Sequence, residues 1–384
     1  MTRSWPTALV PLALLALLVG GFLTLRPLDR LTEGTPAIET LVVERVALGP
    51  AGIAVWVRAG GSAPLSIAQV QVDGAYWEFE QTPPGPLSRL ESARIQLPYP
   101  WVEGETHHLL FLTATGVSFD HTIDVALPTP QLSAADLLAY GVVGLFVGVV
   151  PVALGMMFYP VMRASARRGL EFVLALTIGL LVFLLVDTLE EGLEMAVGAA
   201  SALQATTLVW LGALATFLAL MVVGRRGGRA PEGVALATFI ALGIGLHNLG
   251  EGLVIGASFA TGAAALASFL VIGFTLHNLT EGIGIAAPML EVRPKLWVFA
   301  GLAALAGLPA VVGTWVGAYA FAPHWAALCF GIGAGAILQV IVEVGAYLHR
   351  TARRAEGTPL SGTAFAGFAG GLVVMYLTAM LVSF

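Results

Sequence analysis

Eight apolar segments follow one another between residue 134 and the C-terminus, and each is long enough to cross the hydrocarbon layer of a membrane. An α-helix rises about 1.5 Å per residue, so roughly 20 apolar residues span the ~30 Å of that layer. Composition agrees, because 57% of the residues are hydrophobic and 11% are charged, against about 25% charged in an ordinary globular domain. The sequence therefore predicts an all-α polytopic membrane bundle of eight helices within residues 134–384, at 136–159, 170–195, 205–223, 234–260, 263–289, 296–320, 325–348 and 363–382.

Basic residues occur in alternate loops of this bundle and are missing from the loops between them. Because Lys and Arg are enriched on the cytoplasmic side of membrane proteins, this pattern predicts that the basic loops are cytoplasmic and that the C-terminus is extracytoplasmic, in a plasma or inner membrane. Spread over four short loops, these residues give no reason to expect nucleic-acid binding. They are Arg163, Arg167 and Arg168 after helix one, Arg225, Arg226 and Arg229 after helix three, Arg293 and Lys295 after helix five, and Arg350, Arg353 and Arg354 after helix seven.

A further apolar segment at residues 7–25 follows Arg3. It is longer than a usual signal-peptide core and has no convincing small-residue cleavage site before Arg26, so we interpret residues 1–26 as an uncleaved membrane anchor that enters from the cytoplasmic side. A cleaved signal peptide is the alternative interpretation.

Residues 27–133 differ from the rest of the chain because short β-branched or alternating runs replace the long apolar segments. Gly- and Pro-rich turns separate these runs, and Asp73-Gly74 between two of them is a strong hairpin signal. About seven such strands in roughly a hundred residues predict a small β-sandwich, which the loop charges put on the extracytoplasmic side. The predicted strands are residues 41–46, 53–58, 65–72, 76–80, 93–97, 108–113 and 117–125.

One polar motif occurs twice inside the apolar segments, as Leu-His-Asn-Leu-Gly-Glu-Gly at residues 246–252 and Leu-His-Asn-Leu-Thr-Glu-Gly at residues 276–282. An ionisable side chain in the hydrocarbon layer is costly unless it is paired, ligated or hydrated, so each copy is a candidate functional site. Residues four apart share one face of an α-helix. Helices four and five therefore each present a His and a Glu near the middle of the membrane, with an Asn beside them: His247, Asn248 and Glu251 on one, and His277, Asn278 and Glu281 on the other.

Imidazole nitrogen combined with carboxylate oxygen is a ligand set that zinc, iron and manganese accept, whereas calcium and magnesium prefer more oxygen ligands. The alternative is that these side chains are hydrogen-bonded contacts between helices, but their duplication near mid-membrane favours a metal site. Gly252 and Gly282 follow the carboxylates, and we expect them to let helices four and five approach closely enough to share an ion, although helix packing alone would explain them too. Because Cys329 is the single cysteine, a multi-cysteine zinc site is excluded.

Further acidic residues lie within the apolar segments. Glu343 of helix seven, with Gln339 one turn earlier, is expected to face the same interior as the duplicated motifs. Helix two carries four acidic residues on one face, of which Asp187 lies deepest and is the predicted metal contact, while Glu190 and Glu194 fit a solvated helix end equally well. The four are Asp187, Glu190, Glu191 and Glu194.

The paired His-Asn-x-x-Glu-Gly motifs on adjacent helices four and five of an eight-helix bundle, with both bundle ends outside, resemble those of the ZIP (Zrt/Irt-like) divalent-metal transporters over about residues 136–384. The resemblance implies that the six motif residues line a central metal site that can be binuclear, and that Glu343 contributes to its second position. It also implies that metal moves into the cytoplasm as one helix group slides against another. The sequence departs from many members at Gly250 and Thr280, where they have Pro, and at Asp187, where helix two of many members offers a His or Met.

These observations favour a transmembrane carrier for a divalent transition metal, with Zn²⁺ as the leading candidate and Fe²⁺, Mn²⁺ or Cd²⁺ accepting the same ligand types. An intramembrane zinc metallohydrolase using the same ligands is an alternative, although the sequence contains neither a His-Glu-x-x-His nor a Gly-x-Ser-x-Gly motif. Another is a metal-sensing receptor whose outer β domain reports occupancy of the bundle. The predicted partners are the metal ion and the lipid bilayer, no catalytic cofactor is expected, and small-residue helix faces permit a homodimer.

Overall fold

The structure of this protein is a computed structural model that describes residues 5–25, 38–129, 133–164, 167–225, 230–260, 264–354 and 361–380. Within these residues it is mostly helical, with eight helices long and apolar enough to cross a membrane, a small antiparallel β region and an N-terminal apolar helix. The prediction of eight such helices is therefore confirmed. The predicted start of the β domain before residue 38 lies outside the described residues, as do Arg226 and Arg229.

The helices follow the apolar segments closely. The N-terminal segment forms one helix, for which the anchor and the signal peptide both remain predictions. Predicted helix one, residues 136–159, ends at Met156, and a short helix begins at Tyr159. Helices two to eight follow in order. The helices are α1 (Trp5–Leu25), α2 (Ala134–Met156), α3 (Tyr159–Ala164), α4 (Arg167–Val197), α5 (Ala205–Gly224), α6 (Gly233–Ala260), α7 (Ala264–Ala286), α8 (Leu296–Ala320), α9 (Pro323–Arg354) and α10 (Gly362–Met380).

Local signals set the helix ends. Ser133 is the N-cap of α2, where its hydroxyl oxygen accepts a hydrogen bond from the backbone N–H of Asp136 at 3.1 Å. The C-terminal end of α7 is also set locally: α7 stops at Ala286, and a 3₁₀ turn, Ala287–Met289, follows. This turn contains Pro288, whose backbone has no N–H to continue the α-helical hydrogen bonds.

The eight long helices divide into two groups by their packing. α2, α6, α7 and α8 form one group, and α4, α5, α9 and α10 form the other. Within each group, backbones approach so closely that a Cβ atom on a contact glycine would overlap a carbonyl oxygen. At Gly252 that atom would lie 2.2 Å from the Ala310 oxygen, and at Gly335 it would lie 2.1 Å from the Ala213 oxygen. The two groups meet mainly where α6 faces α9 and α7 faces α4.

The β domain, residues 38–129, consists of two four-stranded antiparallel sheets that share one apolar core. The sheet orders are β1-β2-β6-β5 and β4-β3-β7-β8. Alternate residues of the strands are buried, as at Ile53, Val55 and Val57 in β2, because successive side chains of a strand point to opposite faces. The strands are β1 (Leu41–Gly49), β2 (Gly52–Ala59), β3 (Ile67–Val72), β4 (Ala75–Trp77), β5 (Glu80–Thr82), β6 (Ser92–Leu97), β7 (His107–Thr113) and β8 (Ser118–Ile123).

The hairpin predicted at Asp73-Gly74 is confirmed. Both residues have positive φ angles, 52° and 80°, as the turns favoured in two-residue hairpins require, and they join β3 to β4. The prediction of one strand at residues 76–80 is wrong, because this stretch contributes to β4 in one sheet and to β5 in the other. An alternating pattern does not indicate where a chain crosses between sheets.

The β domain touches both helix groups at the ends opposite the basic loops. Arg45 Nη1 donates to the carbonyl oxygen of Tyr319 in α8 at 2.7 Å. The neighbouring Glu44 carboxylate lies 3.7 Å from Nδ1 of His324 at the start of α9, and it accepts hydrogen bonds from Arg58 at 2.6 and 3.1 Å. A register irregularity between residues 43 and 45 marks a β-bulge, a feature that re-aims side chains.

We expect Asp73→Asn to destabilise the β domain. The Asp73 carboxylate accepts hydrogen bonds from His107, the His108 N–H and Tyr99 at 2.7–2.8 Å. Partial burial opposes ionisation, but these bonds lower the pKa of Asp73 below its ordinary value. A lowered pKa stabilises the fold above the unfolded-state pKa and ceases to do so as the pH falls through the folded-state pKa.

Asparagine tolerates the positive φ angle, so the variant tests the carboxylate alone. We expect a loss of about 1–3 kcal/mol at neutral pH, measured by thermal unfolding, and a smaller difference from the unsubstituted protein in acid. Asp120→Asn, at an exposed position of β8, is the control. Equal stability of the Asp73 variant and this control would contradict the prediction.

Candidate metal centre

The two polar motifs lie at the same depth on the adjacent helices α6 and α7. His247 is 13 residues from the end of α6 at Ala260, and His277 is 13 residues from the start of α7 at Ala264, so each lies about 20 Å along its helix from that end. The structure therefore places both motifs near the middle of their helices, and their depth in a membrane stays a prediction.

Glu251 is the carboxylate on which both histidines converge. Its Oε1 atom lies 3.0 Å from Nε2 of His247 and is also hydrogen-bonded by Nε2 of His277. Ligand atoms of these three residues all lie within 4.8 Å of one another, and the side chains are buried, with 2%, 0% and 7% exposure for His247, Glu251 and His277. Two nitrogens and a carboxylate oxygen thus face one small volume that could hold a metal ion.

Thr188 of α4 fixes the tautomer of His247. Its hydroxyl lies 2.6 Å from the carbonyl oxygen of Leu184 and 2.9 Å from Nδ1 of His247. The hydroxyl has one hydrogen and the carbonyl can only accept, so the hydroxyl donates to Leu184 and accepts from Nδ1–H. The Nε2 atom that faces Glu251 is therefore the nitrogen available for ligation, an orienting contact common around metal-binding histidines.

Each asparagine uses its amide group to hold a neighbouring helix. Asn278 Nδ2 donates to the carbonyl oxygen of Val147 in α2 at 3.1 Å and to Glu251 Oε2 at 3.0 Å. Val147 needs such a donor because Pro151, four residues later, has no N–H. Asn248 Nδ2 similarly donates to the carbonyl oxygen of Ala306 in α8 at 3.1 Å.

The glycines after the two carboxylates pack against other helices than expected. A Cβ atom on Gly252 would lie 2.2 Å from the Ala310 oxygen of α8, and one on Gly282 would lie 2.2 Å from the Val152 oxygen of α2. The expectation that they bring helices four and five together is therefore wrong. Each glycine instead lets a neighbouring helix approach closely, and it is the same helix whose carbonyl the nearby asparagine holds.

Several buried acceptor oxygens of the two motifs have no hydrogen-bond partner among the described residues. These are Oδ1 of Asn248, Oδ1 of Asn278 and both carboxylate oxygens of Glu281. Glu281 is 5% exposed and lies within electrostatic range of Glu251 and His277. Leaving a buried polar group unpaired costs about 1–3 kcal/mol, more for a charged one, so a cation beside these oxygens would satisfy groups that the protein itself does not.

The acidic face of α4 is divided: Glu190 and Glu194 are exposed, whereas Asp187 and Glu191 are partly buried. Asp187, the predicted contact, lies within electrostatic range of His247, His277 and Glu251. Glu191 lies within electrostatic range of His277 and Glu251. Its Oε2 atom is buried without a hydrogen-bond partner among the described residues. The sequence analysis did not select Glu191, although its four-residue spacing from Asp187 was a usable signal. It also missed Thr188, because no pattern in the sequence indicates that this residue contacts His247.

Glu343 lies elsewhere in the bundle. A Cβ atom on Gly333 of α9 would lie 3.2 Å from the Cα atom of His247, and Glu343 follows ten residues later, about 15 Å toward the basic-loop end. There its Oε1 atom accepts a hydrogen bond from Arg225 Nε at 3.2 Å. Its Oε2 atom and both amide atoms of Gln339 are buried without partners among the described residues. Of the eight predicted residues, the structure thus brings ligand atoms of three together, His247, Glu251 and His277. It places the other motif residues beside them and pairs Glu343 with an arginine.

No protein-family model matches the chain, and a search of the curated proteins finds no similar sequence. The function of the centre therefore has to be inferred from its chemistry and position. Two imidazoles and one carboxylate at these distances can be bridged by protons on the nitrogens, or by a divalent cation that neutralises the carboxylates nearby.

We expect Thr188→Val to weaken Zn²⁺ binding about 10- to 100-fold, the usual cost of removing an orienting hydrogen bond from a ligating histidine. Titration of the purified protein in detergent with a competing zinc indicator measures the effect. Thr188→Ser keeps the hydroxyl and should bind like the unsubstituted protein. Thr238→Val removes a hydroxyl that bonds the Val234 carbonyl and serves as a second control; an unaltered affinity in Thr188→Val would contradict the orienting role.

We expect Gly252→Ala to lower stability by about 1–3 kcal/mol, because the added methyl group would overlap the Ala310 carbonyl. Thermal unfolding of the detergent-solubilised protein measures it. Gly301→Ala is the matched control, since a Cβ atom there meets nothing within 4 Å. If both variants unfold at the same temperature, the close approach of α6 to α8 is not a constraint on the fold.

Proposed function

We propose that the chain is a carrier that moves divalent transition metal ions, Zn²⁺ above all, across a membrane toward the cytoplasm. The observation that carries this proposal is the convergence of His247, Glu251 and His277 inside two helices that are long and apolar enough to span a membrane. Such a site cannot exchange ions through the lipid, so a bound ion reaches it from one face of the membrane or the other. An ionisable cluster at this depth is typical of an ion pathway.

The geometry supports the resemblance to ZIP transporters in one further respect. The histidines and Glu251 belong to one helix group, whereas Thr188, Asp187 and Glu191 belong to the other. A relative movement of the groups would change the charges and hydrogen bonds around a bound ion, and hence its affinity. This is what a carrier requires when it binds on one side of the membrane and releases on the other.

The proposed orientation rests on the basic loops. The described basic residues Arg163, Arg225, Lys295 and Arg350 lie in or beside helix ends at the same end of the bundle, and we assign that end to the cytoplasm. The β domain contacts the opposite end through Arg45 and is then extracytoplasmic, in a plasma or inner membrane. Zinc accepts this set of imidazole and carboxylate ligands and is the ion we propose, although the ligand types alone do not rank it above iron, manganese or cadmium.

We expect Glu251→Gln to abolish metal flux, because the variant loses the carboxylate on which both imidazoles converge. Uptake of Zn²⁺ into proteoliposomes, followed by an enclosed indicator, should fall to the level of protein-free liposomes. Glu291→Gln removes an exposed carboxylate outside the centre and should retain the full rate. Flux in Glu251→Gln equal to that of this control would refute the proposed role of the centre, and absence of flux in the unsubstituted protein would refute the carrier.

The two alternatives give different results in the same preparation. A zinc metallohydrolase would release a product from its substrate without net metal movement. A receptor that depends on its β domain would respond to loss of the contacts made by Arg45 and Glu44. We expect Arg45→Gln and Glu44→Gln to retain flux, which marks the β domain as accessory to transport.

A further inference from the structure

We propose that a groove at the basic-loop end of α2, α3 and α8 binds one anionic phospholipid, with an acyl chain in the groove and the phosphate at Arg163. We call it the lipid groove; Ala153, Met156, Tyr159, Phe299, Ala300 and Ala303 line it. The inference rests on the proposed membrane placement of the bundle and is independent of the metal.

The lipid groove is an apolar cavity open to the outside of the bundle. Its volume is about 370 Å³, and the rings of Tyr159 and Phe299 form one wall in an edge-to-face contact with centroids 5.1 Å apart. Two further lining residues stand open at its mouth, Met157 with 71% and Leu296 with 88% exposure. In a bilayer, this position faces hydrocarbon chains, so the occupant with matching chemistry is a lipid chain.

A fixed guanidinium marks one end of the lipid groove. Tyr159 donates its hydroxyl hydrogen to the carbonyl oxygen of Val292. Arg163 Nη1 donates to the same carbonyl at 3.1 Å and to the Tyr159 hydroxyl oxygen at 2.9 Å. A guanidinium has five N–H donors, and both bonds described for Arg163 use Nη1. Among the described residues no carboxylate pairs with Arg163, so donors remain for a phosphate, which arginine binds in a bidentate manner.

The charges around this end favour an anionic headgroup. Arg293 and Lys295 are exposed in the turn that leads into α8, and Glu291 is the exposed acidic residue beside them. Three cationic side chains against one carboxylate leave the rim positive. Basic pockets between membrane helices on the cytoplasmic side are typical sites for acidic lipid headgroups. A zwitterionic lipid would bring its own cation to the rim and so gain less.

The test counts the lipids that stay with the protein. The full chain is reconstituted into nanodiscs of phosphatidylglycerol and phosphatidylcholine in equal amounts, extracted into detergent and weighed by native mass spectrometry. We expect one phosphatidylglycerol retained in preference to phosphatidylcholine. Arg163→Gln should reduce this retention about fivefold, and Ala300→Trp, which fills the lipid groove from an exposed position, should reduce it similarly.

Arg353→Gln removes an exposed arginine of α9 at the same end of the bundle and should leave retention unchanged. Unfolding temperatures in phosphatidylcholine alone should match across the variants, which separates lost binding from misfolding. The proposal is overturned if the unsubstituted protein retains both lipids equally. It is equally overturned if Arg163→Gln keeps its phosphatidylglycerol, or if Arg353→Gln loses as much. None of these measurements depends on metal flux, so they test lipid binding even if the carrier proposal is refuted.

Discussion

One carboxylate oxygen, Oε1 of Glu251, faces imidazole nitrogens from two helices in a region from which solvent is excluded. An ionised carboxylate in so apolar an interior is unfavourable unless positive charge compensates it and hydrogen bonds occupy its lone pairs. Asn278 satisfies the second oxygen, and the imidazoles satisfy the first either as imidazolium donors or as ligands to a shared cation. Either form of positive charge links α6 to α7 through Glu251.

The two motifs perform the same structural task on opposite sides of this carboxylate. In each motif the histidine points to the centre, and the asparagine amide donates a hydrogen bond to a carbonyl oxygen of an outer helix. The glycine packs against that same helix, which is α8 for the first motif and α2 for the second. The symmetry fails at the carboxylates. Glu251 is shared by both histidines, whereas Glu281 has no partner among the described residues. That asymmetry leaves a second set of oxygens beside the first cluster, where an additional positive charge would be stabilised.

The sequence was sufficient for what depends on spacing along one helix or strand. Helix lengths, the depth of His247 and His277, and the hairpin at Asp73-Gly74 follow from periodicity and turn chemistry alone. The partners of Gly252, Thr188 and Glu343 do not, because a helical repeat specifies which residues share a face but not which neighbour that face meets. Glu343 is the clearest case: its burial was foreseeable from its apolar surroundings, yet its pairing with Arg225 depends on where α5 ends beside α9.

Glycine contacts distinguish the packing within the helix groups from the packing between them. Within a group, a methyl group on a contact glycine would meet a carbonyl oxygen of the next backbone, as at Gly252, and no sliding is possible without separating the helices. Between the groups the shortest such contacts are with side chains: the Phe330 ring at 2.8 Å from a Cβ atom on Gly250, and the Thr177 methyl at 2.9 Å from one on Gly284. Backbone carbonyls there lie farther away, 3.2 Å from a Cβ atom on Gly243 and 3.3 Å from one on Gly333. Side chains can change rotamer as neighbouring helices move, whereas backbone carbonyls within a helix cannot. The hydrogen bond from His247 to Thr188 crosses the same boundary and contributes only about 1 kcal/mol, so the wider backbone approaches between the groups run beside the candidate metal centre.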